Sequence, residues 1–389
     1  MASISTFDDM NLLDKRVDKV TKHLEDVNRI YIQKIARNIK EIGELNASSV
    51  NRLSLMMQMF EDVEAIKKAL AKAVDLSTKE LNALLEQALN DTYHDKRFQR
   101  ALSQEPLTLA DRRRLEGYTQ AVSIQTATTL RNLSNTTTLS KVYQQAVDTA
   151  ILAVTTGLDD YQSATRKVIR ELGGNGVQVE YPSGYHRRLD SSVRQNVVDA
   201  TKQVAQNTSL MMGEMLQYDA VELSAHLMSA PDHEPIQGRV FLLPEFERMQ
   251  SEQSFRDIDG HEFQPIARSI GQWNCRHVVS SFSTEYSKRR YTDEQLRRWK
   301  EDNEAGCTFQ GKHYSTYEAS QKMRQLETEV RHLKDTAIGA REAGDSELRR
   351  ECQEKIRAKM KTYNKLADAA ELTPRPERMK VEGFRAVRL

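Results

Sequence analysis

Apolar side chains recur in the opening stretch at alternating steps of four and three, through Leu13, Val17, Val20, Leu24 and Val27, and Ile35, Ile39 and Ile42 extend the stripe toward Gly43. The spacing predicts a long helix over residues 8–45. So narrow a seam suits a partner helix, either the next helix of the same chain, from about Ser48 to Val74, or one in another subunit. Ser77-Thr-Lys-Glu80 has the form of a capping box and predicts a third helix carrying Leu81, Leu84, Leu85 and Leu89. Pro106 interrupts, Thr108-Leu-Ala-Asp opens another helix, and the Ser134–Thr138 run reads as a linker because its side chains compete for local backbone bonds. Helices resume at Leu139 and after Gly157 and end at Gly173-Gly174.

The pattern then changes. Gly176 to Pro182 alternates like a strand, turns at Ser183-Gly184 and leads into a long helix through Met215. Val221 to Leu223 and Arg239 to Leu243 read as short strands, and Asp259-Gly260 between Phe255 and Phe263 as a tight hairpin. After Ser315 the helical period returns: Met323, Leu326, Val330, Leu333 and Ala337, a break at Gly344-Asp345, then Leu348, Cys352, Ile356, Met360 and Tyr363. This predicts an antiparallel helical hairpin, followed by a basic, proline-punctuated tail that is either loosely ordered or an arm laid on a neighbour. The expected class is a predominantly α-helical α+β protein, with long helices and helical hairpins flanking a small irregular β-rich module. Four regions are expected: 1–105, 106–220, 221–282 and 283–389.

Candidate chemistry concentrates in the module. His226, His233, Cys275 and His277 lie within it, with Trp273 beside them. Cys275 and His277 would share a face of an extended segment, and two upstream histidines could close a site of one cysteine and three histidines, for which zinc is the expected metal. The spacing is not that of a zinc finger. The alternative is that His226 and His233 satisfy buried carbonyls while Cys275 is a core thiol, with His261 exposed at the hairpin turn.

Composition narrows the function. The 57 basic and 56 acidic side chains of the 389 residues give a formal charge of +1, against a chain whose main task is to coat nucleic acid. Local basic runs remain. Arg112 to Arg114 read as a solvated first turn or a phosphate contact. Arg187, Arg188 and Arg194 could hold an anion or pair with Asp190 or Asp199. Lys288 to Arg290 with Arg297 and Arg298 read as an exposed helical face or a patch for DNA. Three scattered cysteines argue against a disulfide framework, and no apolar run approaches the roughly 20 residues needed to span a bilayer. The first residues lack the basic start and apolar core of a signal peptide, so synthesis in a cytoplasm is expected. No P-loop, H-E-x-x-H, G-x-S-x-G or C-x-x-C occurs.

The order S-A-H, P-x-H, Q-G-x-V-F and N-C-R-H places His226, His233, Gln237, Gly238, Cys275, Arg276 and His277 on a pattern that resembles the phage minor capsid protein 2 family and, more distantly, the head-morphogenesis domain of phage Mu. A second block matches at Tyr181, Pro182, Ser183, Gly184, Leu189, Asp190, Val193 and Arg194. A third is the G-K-H-Y-S-T-Y-E-A-S-Q-K-M-R-Q-L-E segment. One departure stands out: where relatives commonly carry G-A-R-P-S-H, this chain has Leu227, Met228, Ser229 and Ala230 before Pro231. The resemblance implies a low-copy structural protein of a tailed-phage virion; with the missing catalytic motifs, a non-enzymatic protein is expected, present in the host cytoplasm before assembly. It would act at or near the portal vertex in head assembly and DNA packaging or delivery. The implied partners are the portal protein, the major capsid protein and other virion proteins, with self-association through the long helices and contact with packaged DNA. The alternative is a zinc-dependent hydrolase acting on nucleic acid or cell wall, with Asp232 or Glu234 as the available base.

Overall fold

The computed structural model of the chain describes residues 10–44, 49–156, 161–251, 253–266, 268–271 and 275–386. Gly157 and Trp273 lie outside these residues. The protein is a predominantly helical α+β fold, as the pattern predicts.

Helix α1 (Met10–Glu44) follows the predicted stripe, and all eight of its seam residues from Leu13 to Ile42 are buried. The seam is therefore used inside the chain. Helix α2 (Ser49–Tyr93) corrects the sequence reading, since one helix replaces the two expected on either side of Ser77. Neither glycine nor proline interrupts the segment, and Ser77 is itself fully buried in the continuous helix. A capping-box sequence needs a chain break upstream to act as a start. Helix α3 (Lys96–Gln104) is capped by Asp95, whose side chain accepts the Arg97 N–H. Helix α4 (Leu109–Asn135) starts where Thr108 and Asp111 cap each other reciprocally at 2.9 and 3.2 Å. Helices α5 (Leu139–Thr156) and α6 (Tyr161–Asn175) follow.

Strand β1 (Gln178–Glu180) pairs with β2 (His186–Arg188), a strand the sequence did not announce, and helix α7 (Leu189–Met215) follows directly. The module contains β3 (Ala220–Leu223), β4 (Val240–Leu242), α8 (Leu243–Gln250), the hairpin of β5 (Phe255–Arg256) and β6 (Glu262–Phe263), and β7 (Val279–Phe282). Its sheet is antiparallel in the order β4-β3-β7, with Ala220 opposite both Leu242 and Phe282. Helix α9 (Asp293–Ala305) begins after the Lys288–Arg290 run, which therefore lies outside the helix expected to carry it. A hairpin of β8 (Cys307–Phe309) and β9 (Lys312–Tyr314) precedes the predicted helical pair, α10 (Thr316–Glu342) and α11 (Ser346–Ala369).

Two compact units are present. The first comprises the chain up to Val20, Thr78–Thr129 and Arg194–Ser320, and the second Thr21–Ser77, Leu130–Val193 and the chain from Gln321. In the first, Val221, Leu223, Ile236, Phe241, Met249, Phe255, Ile270 and Val279 form the module's core, and Phe98, Leu107, Leu115, Met212 and Tyr218 form another cluster. Small residues let α7 lie close on β7: Ser281 N–H donates to Ser209 Oγ at 2.9 Å, and Ser281 Oγ–H donates to the Ser209 carbonyl at 2.8 Å. A Cβ at Gly213 would fall 2.1 Å from Ser281 Oγ and 2.5 Å from Ser281 Cβ. Gly213→Ala is thus expected to destabilise by about 1–3 kcal/mol, against the usual helix preference for alanine. Gly117→Ala in α4, where a Cβ meets nothing within 4 Å, should stabilise by roughly 0.5–1 kcal/mol. Urea denaturation of the two variants checks the opposite signs.

In the second unit, Ile169, Ala337, Ala340, Leu348 and Cys352 share a core against which Phe384 packs. Up to Ala386, the last described residue, the tail is neither loose nor extended. Met379 is buried, its carbonyl accepts from Lys334 Nζ at 2.7 Å, and the Gly383 carbonyl accepts from Arg341 at 3.0 Å. These bonds fold the tail back on the α10–α11 hairpin, because Met379 and Phe384 find apolar surface there.

Most of the arginine runs are committed internally. Arg188 pairs with Asp190, as the salt-bridge reading expected, whereas Arg194 pairs with Asp14 and Asp18 instead of Asp199. Arg114 pairs with Glu214, and Arg112 lies over the Tyr93 ring. Arg289 meets Asp259 and Asp293, and Arg290 meets Glu222.

Candidate metal centre

Strands β3 and β7 set the frame. Their ladder continues past the strand ends, where Ser224 N–H donates to the Val278 carbonyl and Val278 N–H donates to Ser224 Oγ, both at 2.9 Å. His226 and His277 are thereby brought alongside each other, their rings stacked with centroids 4.6 Å apart and planes 23° from parallel. Between β3 and β4 the chain makes a compact turn, with the N–H groups of His233 and Glu234 on the Ala230 carbonyl and that of Gln237 on the His233 carbonyl. Gly238 closes it at φ +69°, a conformation that favours glycine, and a Cβ there would sit 2.6 Å from Leu296 Cδ2 and force that side chain to shift. The turn delivers His233 to the same point as Cys275 and His277.

Cys275 Sγ lies 3.3 Å from His233 Nδ1 and 3.5 Å from His277 Nδ1. Cys275, His233 and His277 are 3%, 1% and 2% exposed, which leaves no route for a large substrate. The outer nitrogens are held by oxygens: His233 Nε2 is 2.8 Å from the Arg268 carbonyl, and His277 Nε2 is 3.3 Å from Gln237 Oε1 and 3.4 Å from Ser229 Oγ. Three of the four residues singled out in the sequence thus bring donor atoms together. His226 stands apart from this group of donors: it stacks on His277, and its backbone N–H donates to Gln237 Oε1 at 3.0 Å.

Burial opposes charge throughout the cluster. It pushes the Cys275 thiol up, yet the bond and charge of His233 together with backbone N–H groups of Gly271 and His277 outweigh this, so the net direction is down, toward thiolate. For His233 burial lowers the pKa, while the Cys275 sulfur and the Arg268 carbonyl raise it above the ordinary value. The two titrate as one pair. His277 is driven well below its ordinary value by burial and then by His226 and His233, which keeps it neutral. Burial also lowers the pKa of Lys202, whose ammonium donates to the Cys275 carbonyl.

A second set of donors, Asp257, Asp259 and His261, also converges. Its carboxylates already hold cations, Arg239 on Asp257 at 2.6 Å and Arg289 on Asp259 at 2.9 Å. His261 is exposed, as the hairpin predicts. The sequence reading gave no role to Gln237, Ser229, Arg268 or Lys202. Gln237 was visible only as part of the Q-G pair, and the others carry no local signal because their partners are distant in the chain.

Compared with protein families, residues 10–368 match the one described as phage minor capsid protein 2. The chain belongs to that family. No curated protein and no solved structure gives a match. The match runs from the first residue of α1 to the penultimate residue of α11, so the His/Cys cluster of this minor capsid protein lies inside the family's own fold and not on an appended domain.

Proposed function

We propose that the protein is a low-copy structural component of a tailed-phage head, built in at or near the portal vertex, where it serves head assembly and the packaging or delivery of DNA. The observation that carries this reading is the family match over nearly the whole chain. The partners it implies are the portal protein, the major capsid protein and other virion proteins, met after synthesis in the host cytoplasm. No helix among the described residues is long and apolar enough to cross a membrane.

Burial of the His/Cys cluster favours this role over a hydrolase. A catalytic metal needs a coordination position that substrate can reach, and nucleic acid or cell-wall polymers are too large to enter a site whose donors are almost fully covered. The test is quantitative mass spectrometry of this chain in purified DNA-filled particles and in empty precursor heads. A fixed, low number of copies per portal in both is the expected result. Absence from both would remove the chain from the virion and overturn the reading.

A further inference from the structure

We propose that His233 Nδ1, Cys275 Sγ and His277 Nδ1 are the protein donors of a buried zinc centre that fastens the turn between β3 and β4 to the segment entering β7, with His226 covering the site as a stacked ring rather than a ligand. This goes beyond the proposed role in the head, which is argued from the family match and not from a metal.

The argument begins with the protons. A backbone carbonyl can only accept, so the Arg268 carbonyl, 2.8 Å from His233 Nε2, places a proton on that nitrogen. Gln237 Oε1 accepts the His226 backbone N–H, which fixes the oxygen end of the amide toward the cluster. His277 Nε2, 3.3 Å from the same oxygen, is then the N–H partner. In the neutral rings, both Nδ1 lone pairs point at one sulfur. A thiol has a single proton and can satisfy one of them. The other would face sulfur lone pairs in a site whose three side chains are almost fully buried. A divalent cation removes the conflict, because thiolate and both lone pairs become donors to it.

Distances agree with this. Tetrahedral zinc with bonds of about 2.3 Å to sulfur and about 2.0–2.1 Å to nitrogen separates N and S ligands by about 3.5 Å. The observed separations are 3.3 and 3.5 Å. The oxygens on each outer nitrogen are the supporting shell that metal-bound imidazoles commonly have. The cations facing the cluster are balanced: Arg268 is held by Asp232 at 2.7 and 2.8 Å, and Lys202 has Asp199 and the Cys275 sulfur near it. Three protein donors leave the fourth position to a small ligand such as water.

A metal-free alternative exists, in which His233 is protonated and donates to a Cys275 thiolate. It accounts for His233 but leaves the His277 lone pair turned toward the same sulfur.

The experiment uses the untagged full chain. Elemental analysis of protein purified without chelator should find one zinc per chain. After zinc is stripped, Co2+ alone should restore one equivalent, with a thiolate-to-cobalt charge-transfer band. The band should be lost in Cys275→Ser and kept in Cys307→Ser and Cys352→Ser, and His226→Phe should keep full stoichiometry. Folded wild-type chain that takes up neither zinc nor cobalt overturns the proposal, and this result stands even if Cys275→Ser does not fold. Full binding by a folded Cys275→Ser chain, or loss of metal in a folded His226→Phe chain, overturns the ligand assignment. Copy number in the virion is independent of each of these readouts.

Discussion

Arg188→Met is expected to cost about 3–5 kcal/mol, because it leaves the buried Asp335 carboxylate and the part-buried Asp190 carboxylate without their shared cation. Arg188 stands between Asp190 at 3.2 Å and Asp335 at 3.1 Å, and it also donates to the Gly173 carbonyl. Asn28 completes the group, donating to Asp335 at 3.2 Å and accepting the Val177 N–H at 2.9 Å. Together these bonds hold the β1–β2 hairpin to α1 and α10 within the second unit.

The two acids respond oppositely to pH. Burial pushes Asp335 up to about 6 although Arg188 pulls it down, whereas at Asp190 burial is outweighed by Arg188 and Arg331, which hold it at about 2. Asp190 therefore contributes stability that is full above its ordinary value of 3.8 and is lost as pH falls through about 2. Asp335 contributes stability that is present below 3.8 and is lost as pH rises through about 6. Urea midpoints of the wild type should fall between about pH 4 and about pH 6, a swing on the order of 3 kcal/mol. Asp335→Asn should flatten that limb and leave the acid limb of Asp190 in place. An unchanged limb in Asp335→Asn would remove Asp335 as its source.

Arg290→Met should be of similar severity in the first unit, about 3–5 kcal/mol. Glu222 lies on β3, the central strand, and is 1% exposed; it accepts from Arg290 Nε and from the Arg290 backbone N–H, both at 2.7 Å. Without the guanidinium its charge keeps a single backbone donor from this residue. The double variant Glu222→Leu with Arg290→Met should recover much of the loss, since apolar replacement of a buried pair is often close to neutral. Arg297→Ala is the control: it removes an exposed arginine 4.0 Å from Glu301 and should change stability by less than about 0.5 kcal/mol. Denaturation of the four proteins gives the comparison, and equal losses in Arg290→Met and Arg297→Ala would refute it.

Arg290 also shows where the sequence misleads. A run such as Lys288-Arg-Arg looks like a patch for DNA because two of the three acids that hold its arginines, Glu222 and Asp259, lie far away in the chain, and only Asp293 is close. Elements that bury a regular stripe were legible: α1, α7, β3, the β5–β6 hairpin and the α10–α11 pair. The strands missed have no stripe. His186-Arg-Arg188 is a two-stranded ribbon edge held by backbone bonds, and β8–β9 turns on Gln310 and Gly311, both at positive φ, without the usual Asn-Gly or Asp-Gly signature. At the cluster, composition drew attention to four residues. Which atoms converge depends on the Gly238 turn and on Gln237, neither of which bears metal-ligand chemistry.

The two units also bear on biosynthesis. The chain passes from one to the other inside α1, α2, α4, α7 and α10, so neither unit is a continuous run of sequence. A ribosome making the protein from its N-terminus cannot release a finished unit early. The first lacks its closing segment until Ser320 has emerged, and the second still awaits α11. Neither nascent unit can close its core before about four-fifths of the 389 residues have been made. Early interruption of translation would leave helices with exposed apolar seams, the kind of surface that chaperones hold and proteases clear.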